Sequence, residues 1–156
     1  MSFDIKSWIT ATNLAHQHKR HSCSQLGTHF AGFFSPELLS SAGFVIVDEL
    51  PRPPIDVIMQ LGLGQLLNPN AVGITLDDTY YLKPKAAGQL RVHFHELVHV
   101  LQWQALGQAS FIKRYISEVI KYGYRQAPLE EKAYGFEDRF VENPRDAFLI
   151  LAKDTI

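Results

Sequence analysis

The chain has 156 residues, 46% of them hydrophobic, 12% aromatic and 20% charged, with a formal net charge of -1. That length suits a single domain, 1–156, and the apolar share is enough for a core, which excludes a disordered chain. Near-neutral charge removes the electrostatic basis for binding nucleic acid or an acidic membrane, and a single cysteine, Cys23, excludes an internal disulfide and fits a reducing compartment.

The first residues, Met1 to Trp8, show no basic stretch leading into an apolar one, and no uncharged apolar run approaches the roughly 20 residues that cross a bilayer. A soluble, cytoplasmic protein is expected. Residues 4–20 read as a helix, with Ile5, Trp8, Ile9, Thr12 and Ala15 near a 3.6-residue period and a polar end at His16, His18, Lys19, Arg20 and His21. Ser35-Pro36-Glu37 opens a short helical turn, Pro36 suiting the first helical position behind a capping serine, and Gly43 is expected to end it. Phe44 to Val47 then reads as a buried strand. Pro51, Pro53 and Pro54 break regular structure. The apolar stretch 55–67, interrupted by Gly62 and Gly64, fits neither period, and Asn68-Pro69-Asn70 reads as a turn.

Ile74, Leu76, Tyr80 and Leu82 fall on one face at period 2, so 72–82 is predicted as one strand despite Asp77-Asp78. From Gln89 the period becomes helical, with Leu90, Phe94, Leu97, Val98 and Leu101 as the apolar stripe and Gly107 as its stop. A second helix is predicted over 109–121 with Ile112, Ile116, Val119 and Ile120 inward. Gly123 and Pro128 bracket a loop, a third helix covers 129–141, and Asn143-Pro144 is expected to cap a fourth. No repeat or linker divides the chain.

His95-Glu96-Leu97-Val98-His99 fits the pattern H-E-x-x-H. Residues four apart on a helix lie on one face a turn apart, so both imidazoles can reach one ion. Neutral imidazole is a good zinc ligand. Glu96, beside His95, can hold a water at that metal without ligating it, and so act as general base for attack on a carbonyl. A catalytic zinc needs a third protein ligand and one open position. The residues after His99, Trp103 to Gly107 among them, offer no third histidine, which leaves a carboxylate from a later helix. Pro128-Leu129-Glu130-Glu131-Lys132-Ala133-Tyr134 supplies two. Glu130 is favoured because Ala133, three residues on, permits close packing against the metal helix, while Glu131 stands about 100° round.

These residues resemble a known family. His95 to His99 followed by Val100, Gln102 and Trp103, then a helix, then Pro-x-Glu-x-x-Ala-Tyr at 128–134, is similar to the gluzincin metallopeptidases. The closest likeness is to their compact single-domain members, the minigluzincins. Ile74-Thr75-Leu76 and Thr79-x-Tyr81 resemble the strand before the metal helix, with a fainter echo at Phe34 to Val47. The resemblance implies an α+β fold with a small sheet beside the active-site helix and further C-terminal helices. It implies zinc as cofactor, held by His95, His99 and Glu130, with Glu96 as the base. Asp77-Asp78 departs from that family's pattern and would put acid beside a substrate shelf.

A peptidase also needs a donor for the oxyanion of its tetrahedral intermediate. Tyr134, one turn after Glu130, is assigned that part, with Tyr115, Tyr122 and Tyr124 as alternatives. His93 points away from the two ligands, the His16, His18 and His21 group reads as a solvated helix end, and Cys23 as a packed thiol. Second partners are required for the ligating imidazoles; Glu137 and Asp138 are candidates, and Gln102 is expected to contact another helix. The expected activity is zinc-dependent peptide-bond hydrolysis, with a peptide or protein as substrate and strand 72–82 as an edge for backbone pairing. The alternative is a non-catalytic zinc-binding or partner-binding domain on the same scaffold.

Overall fold

The computed structural model describes residues 3–62, 64 and 70–156. The α+β class holds: helices surround a small mixed sheet. Helix α1 (Ile5–Ala15) begins at Asp4, whose carboxylate accepts from the Lys6 backbone N–H. It stops short of the predicted residue 20, giving way to a 3-10 turn at Gln17–Lys19. Strand β1 (His21–Ser22) follows, and helix α2 (Pro36–Ser41) opens as predicted, with Ser35 Oγ accepting from Leu38 N–H. Gly43 does not end that helix. It is the first residue of strand β2 (Gly43–Ile46), one position ahead of the expected strand, and its backbone approaches Arg20 so closely that a Cβ would stand 2.4 Å from the guanidinium carbon.

After the prolines, α3 (Ile55–Gln60) resolves part of the stretch that periodicity left open. The helix buries Ile58 while Ile55 and Met59 stay exposed, so no stripe was there to read. Residues 63 and 65–69, including most of the expected turn at 68–70, lie outside the described residues.

The predicted strand 72–82 is a hairpin. β3 (Gly73–Leu76) and β4 (Thr79–Leu82) pair antiparallel, Leu76 opposite Thr79 and Ile74 opposite Tyr81, with Asp77-Asp78 as a two-residue loop and Asp77 at φ 66. In such a hairpin the paired residue numbers sum to an odd value, so even-numbered positions on β3 share a face with odd-numbered ones on β4. Ile74 and Leu76 therefore side with Tyr81, and Tyr80 and Leu82 lie on the other face. The period-2 pattern ran across the turn because every residue of β4 is buried. The sheet order is β1-β2-β4-β3, with β2 and β4 parallel and β3 at the edge.

Helix α4 (Leu90–Leu106) is the centre of the molecule. Every residue from Val92 to Trp103 is buried, because β3, β4, α5, α6 and the C-terminal turn all pack on it. Its polar residues must therefore find their partners inside the protein. Gly107 at φ 79 breaks the chain into α5 (Gln108–Tyr122), and Gly123 at φ 85 ends that helix. α5 turns Phe111, Tyr115, Glu118 and Val119 toward the other elements; Ile112 and Ile116 are partly buried, but Ile120, expected inside, is 57% exposed. The apolar count alone hid the phase, since Glu118 holds an inward position by pairing.

Helix α6 (Pro128–Glu142) follows, and its first turn is anchored by that carboxylate: Glu118 Oε1 accepts from Leu129 N–H at 2.8 Å and Oε2 from Arg114 Nε at 2.8 Å. The predicted fourth helix does not form. Beyond a turn at 144–146 the chain runs extended, burying Ile150 and half-burying Phe148 while Leu149 and Leu151 face out. Ile150 N–H donates to Phe33 O, and Phe148 packs edge-on against Phe33 within a cluster that includes Phe30, Phe94 and Phe140. Only a 3-10 turn, Ala152–Thr155, closes this segment. Among the described residues no helix is long and apolar enough to cross a membrane.

Candidate metal centre

The turn-to-turn spacing of α4 sets His95 and His99 on one face, with ring centroids 4.8 Å apart. Each imidazole is fixed through its far nitrogen. His95 Nδ1–H donates to Glu137 Oε1 at 3.0 Å, and Glu137 in turn accepts from Arg91 at 3.2 Å. His99 Nδ1–H donates to Gln102 Oε1 at 2.7 Å. Both Nε2 atoms are thereby left as acceptors. They converge on Glu130 Oε1: His95 Nε2 and His99 Nε2 each lie 3.1 Å from it and 3.1 Å from one another. Glu130 is buried; Glu131 is exposed to solvent.

Three acceptor atoms so close together repel unless a positive charge sits among them. Without a metal, protons supply it. Burial would lower both imidazoles, but Glu130 and Glu137 outweigh it at His95 and push that ring up to about 10; Glu130 likewise raises His99. Burial would raise the Glu130 carboxyl, yet His99 and His95 hold it far below the usual range. The donor set is also the one a borderline-soft divalent ion takes, two imidazoles and a carboxylate. A tetrahedral zinc with bonds of about 2.0–2.1 Å separates its ligand atoms by roughly 3.3 Å, close to the spacing here. His95, His99 and Glu130 are thus a group that could hold a metal ion.

Neighbouring side chains complete the centre. Tyr115 OH donates to Glu130 Oε2 at 2.7 Å, fixing the carboxylate by its second oxygen. Glu96 is buried beside the cluster, its Oε2 accepting from Thr75 Oγ1 on β3 at 2.9 Å. Burial pushes the Glu96 carboxyl up, against the pull of His95 and His99. Tyr134 is half-buried, its ring centroid 4.4 Å from that of His95 and its outer face under the Arg125 guanidinium; its hydroxyl bonds to that of Tyr124. All of these except Arg125 line one cavity of about 360 Å³, whose walls among the described residues include Ile5 and Trp8 of α1, Ile58 of α3, Ile74 of β3 and Ile116 of α5.

Several expectations meet a different outcome. Asp138 is exposed, so of the two candidates it is Glu137 that accepts from His95 Nδ1–H. Asp77 and Asp78 do not line the cavity: they sit in the hairpin turn, Asp77 bonded by Gln108 and Asp78 beside Arg20. Tyr122 is 46% exposed and lies outside the cavity wall. Gln102 does contact another helix, donating to Leu129 O of α6 at 2.9 Å and also to Thr155 O at 3.0 Å. Trp103 packs by stacking on Phe111. His93 is a buried structural residue, its Nε2–H on Ala87 O and its Nδ1 accepting from Tyr80 OH, whose oxygen accepts a hydrogen bond from the Cys23 thiol at 3.5 Å. Cys23 is therefore packed away from the metal centre. The bonds from Tyr115 to Glu130 and from Thr75 to Glu96 carried no sequence signal, since each joins residues with no fixed spacing.

No protein-family model, no curated protein and no solved structure matches this chain.

Proposed function

We propose that the protein is a metal-dependent, gluzincin-like peptidase, with zinc held by His95, His99 and Glu130. The observation that carries this reading is the convergence of three buried acceptor atoms at 3.1 Å from one another, with a second, non-ligating carboxylate, Glu96, one residue from His95. A site that only held a metal for stability would have no use for a buried carboxylate at that position. When bound, zinc would act as a Lewis acid toward a carbonyl oxygen and acidify a nearby water.

The chain's own groups account for the remaining steps. Glu137 and Gln102 hold the two rings in the tautomer that presents Nε2. Glu96 takes a proton from the attacking water as its oxygen bonds to the peptide carbon; the C–N bond then breaks, and the same carboxyl returns the proton to the departing nitrogen. Tyr134 accepts from Tyr124 and so keeps its own proton for the oxygen that becomes anionic. The apolar walls exclude water from the site, and the edge strand β3 beside it offers backbone groups to an extended peptide.

The deciding experiment pairs metal analysis with turnover. Wild-type protein loaded with zinc is incubated with a mixed peptide library, and products are read by mass spectrometry, alongside Glu96→Gln. The proposal expects one zinc per chain in both and new termini from wild type only. Zinc in both with no cleavage by either would leave a metal-binding domain without peptidase activity.

A further inference from the structure

Strand β3 meets the metal helix at two residues on one face. Thr75 Oγ1 donates to Glu96 Oε2 at 2.9 Å and also lies 3.3 Å from the Glu96 backbone carbonyl. Gly73, two residues earlier, stands against the other oxygen: a Cβ built there would be 2.7 Å from Glu96 Oε1 and 3.3 Å from its Cδ, and 3.0 Å from Leu82. Any side chain at 73 would push the carboxylate aside. Thr75 is itself buried, as is Glu96. Glu96 and Gly73 both line the cavity. The two oxygens of the carboxylate are thus unequal: one is tied to the sheet, the other has space made for it.

We propose that Thr75 is a positioning residue, which holds Glu96 by Oε2 so that Oε1 alone faces the cavity, in the space that the missing side chain of Gly73 leaves. A glutamate has three rotatable bonds, and next to two imidazoles an untethered carboxylate would turn toward them. The Thr75 hydroxyl prevents this by holding one oxygen to the sheet. The hairpin fixes the hydroxyl, because Thr75 lies between the backbone-bonded pairs Ile74–Tyr81 and Leu76–Thr79. The catalytic consequence rests on the peptidase reading above; the geometric one does not.

The test compares wild type with Thr75→Val, which keeps the shape and removes the hydroxyl, and Thr75→Ser, which restores it. Crystal structures of the three should show Glu96 in one orientation in wild type and the serine variant, and displaced or in several orientations in the valine variant. An unchanged Glu96 in Thr75→Val would overturn the proposal. In zinc-loaded protein that cleaves a peptide, Thr75→Val should lower kcat by about tenfold to a hundredfold, as expected from losing one hydrogen bond to a charged group, with KM within about twofold. Thr75→Ser should recover most of the rate, and equal kcat in wild type and Thr75→Val would also overturn the proposal. Failure of wild type to cleave any peptide would count against the peptidase reading, while the crystallographic comparison would still decide what Thr75 does.

Discussion

His99 and Gln102 form the tie that joins the candidate metal centre to the far end of the fold. His99 Nδ1–H donates to Gln102 Oε1 at 2.7 Å, and the amide nitrogen of the same glutamine reaches Leu129 O on α6 and Thr155 O near the C-terminus. One fully buried side chain therefore sets the tautomer of His99, holds the helix that carries Glu130, and docks the last turn of the structure. Gln102→Leu keeps much of the volume but removes all three bonds. Metal affinity should fall about 10- to 100-fold, as for other lost partners of ligating histidines. The buried Thr155 carbonyl and the His99 Nδ1–H also lose their partner, at about 1–3 kcal/mol each, so the metal-free protein should melt at lower temperature as well. Calorimetric titration with zinc and a thermal melt of chelator-treated protein measure the two effects separately. A loss of affinity with an unchanged melt would mean that these two groups find other partners.

Protons and metal compete for the same atoms, so zinc binding should depend on pH in a set direction. Glu130 and Glu137 hold the proton on His95 up to about pH 10, and His99 is raised too. Zinc must displace these protons, so apparent affinity should rise with pH, about tenfold per unit for each proton released. The metal-free protein should show the opposite trend. A histidine whose folded pKa lies above its unfolded value near 6.5 stabilises fully below that value, and the contribution fades as pH rises toward about 10. Chelator-treated protein should therefore lose melting temperature between pH 7 and 10 while the zinc-loaded form holds it. Titrations in two buffers of different ionisation enthalpy would count the protons released, and zero release at pH 7 would mean that the cluster is not protonated.

What the sequence made legible divides along local and non-local lines. The placement of His95, Glu96 and His99 followed from the helical repeat alone, and the preference for Glu130 over Glu131 from the small residue a turn later. Both depend on spacing within one element. The hairpin was missed because β4 is buried on both faces, so alternation continued through Asp77-Asp78 as if no turn were there. The last helix was missed because Asn143-Pro144 is a sound helix start by itself, and only the aromatic cluster around Phe33 explains why the following residues stay extended. The phase of α5 was misjudged because an inward glutamate, Glu118, caps α6 from a neighbouring helix. In each case the deciding partner is distant in the chain, and one sequence carries no record of that distance.

The buried relay from Cys23 to His93 makes a prediction independent of the metal. Burial pushes the Cys23 thiol up to about 11, against weaker lowering by Tyr80 and Arg20. The thiolate is the reactive form, so at pH 8 the native thiol should react with a disulfide reagent about a hundredfold more slowly than the same thiol in denatured protein. Labelling in native buffer and in guanidinium, followed by absorbance, gives the ratio. Equal rates would mean that Cys23 opens to solvent on the timescale of labelling.

Two tyrosines beside the centre should separate by what they change. Tyr115 OH donates to Glu130 Oε2 at 2.7 Å, so it acts on a ligand. The Tyr134 ring lies tilted against that of His95 and its hydroxyl is bonded to Tyr124. Tyr115→Phe should weaken zinc binding about tenfold, because the Glu130 carboxylate loses the donor that orients it. Once zinc is supplied in excess, its turnover should return close to wild type. Tyr134→Phe should do the reverse, leaving zinc affinity unchanged while lowering kcat about 10²- to 10³-fold, as expected for removal of one oxyanion donor. Competition with a chromophoric chelator gives the affinities, and peptide turnover at saturating zinc gives the rates. If Tyr134→Phe kept its kcat while Tyr115→Phe lost it at saturating zinc, the oxyanion role would pass from Tyr134 to Tyr115, since Tyr115 also lines the cavity.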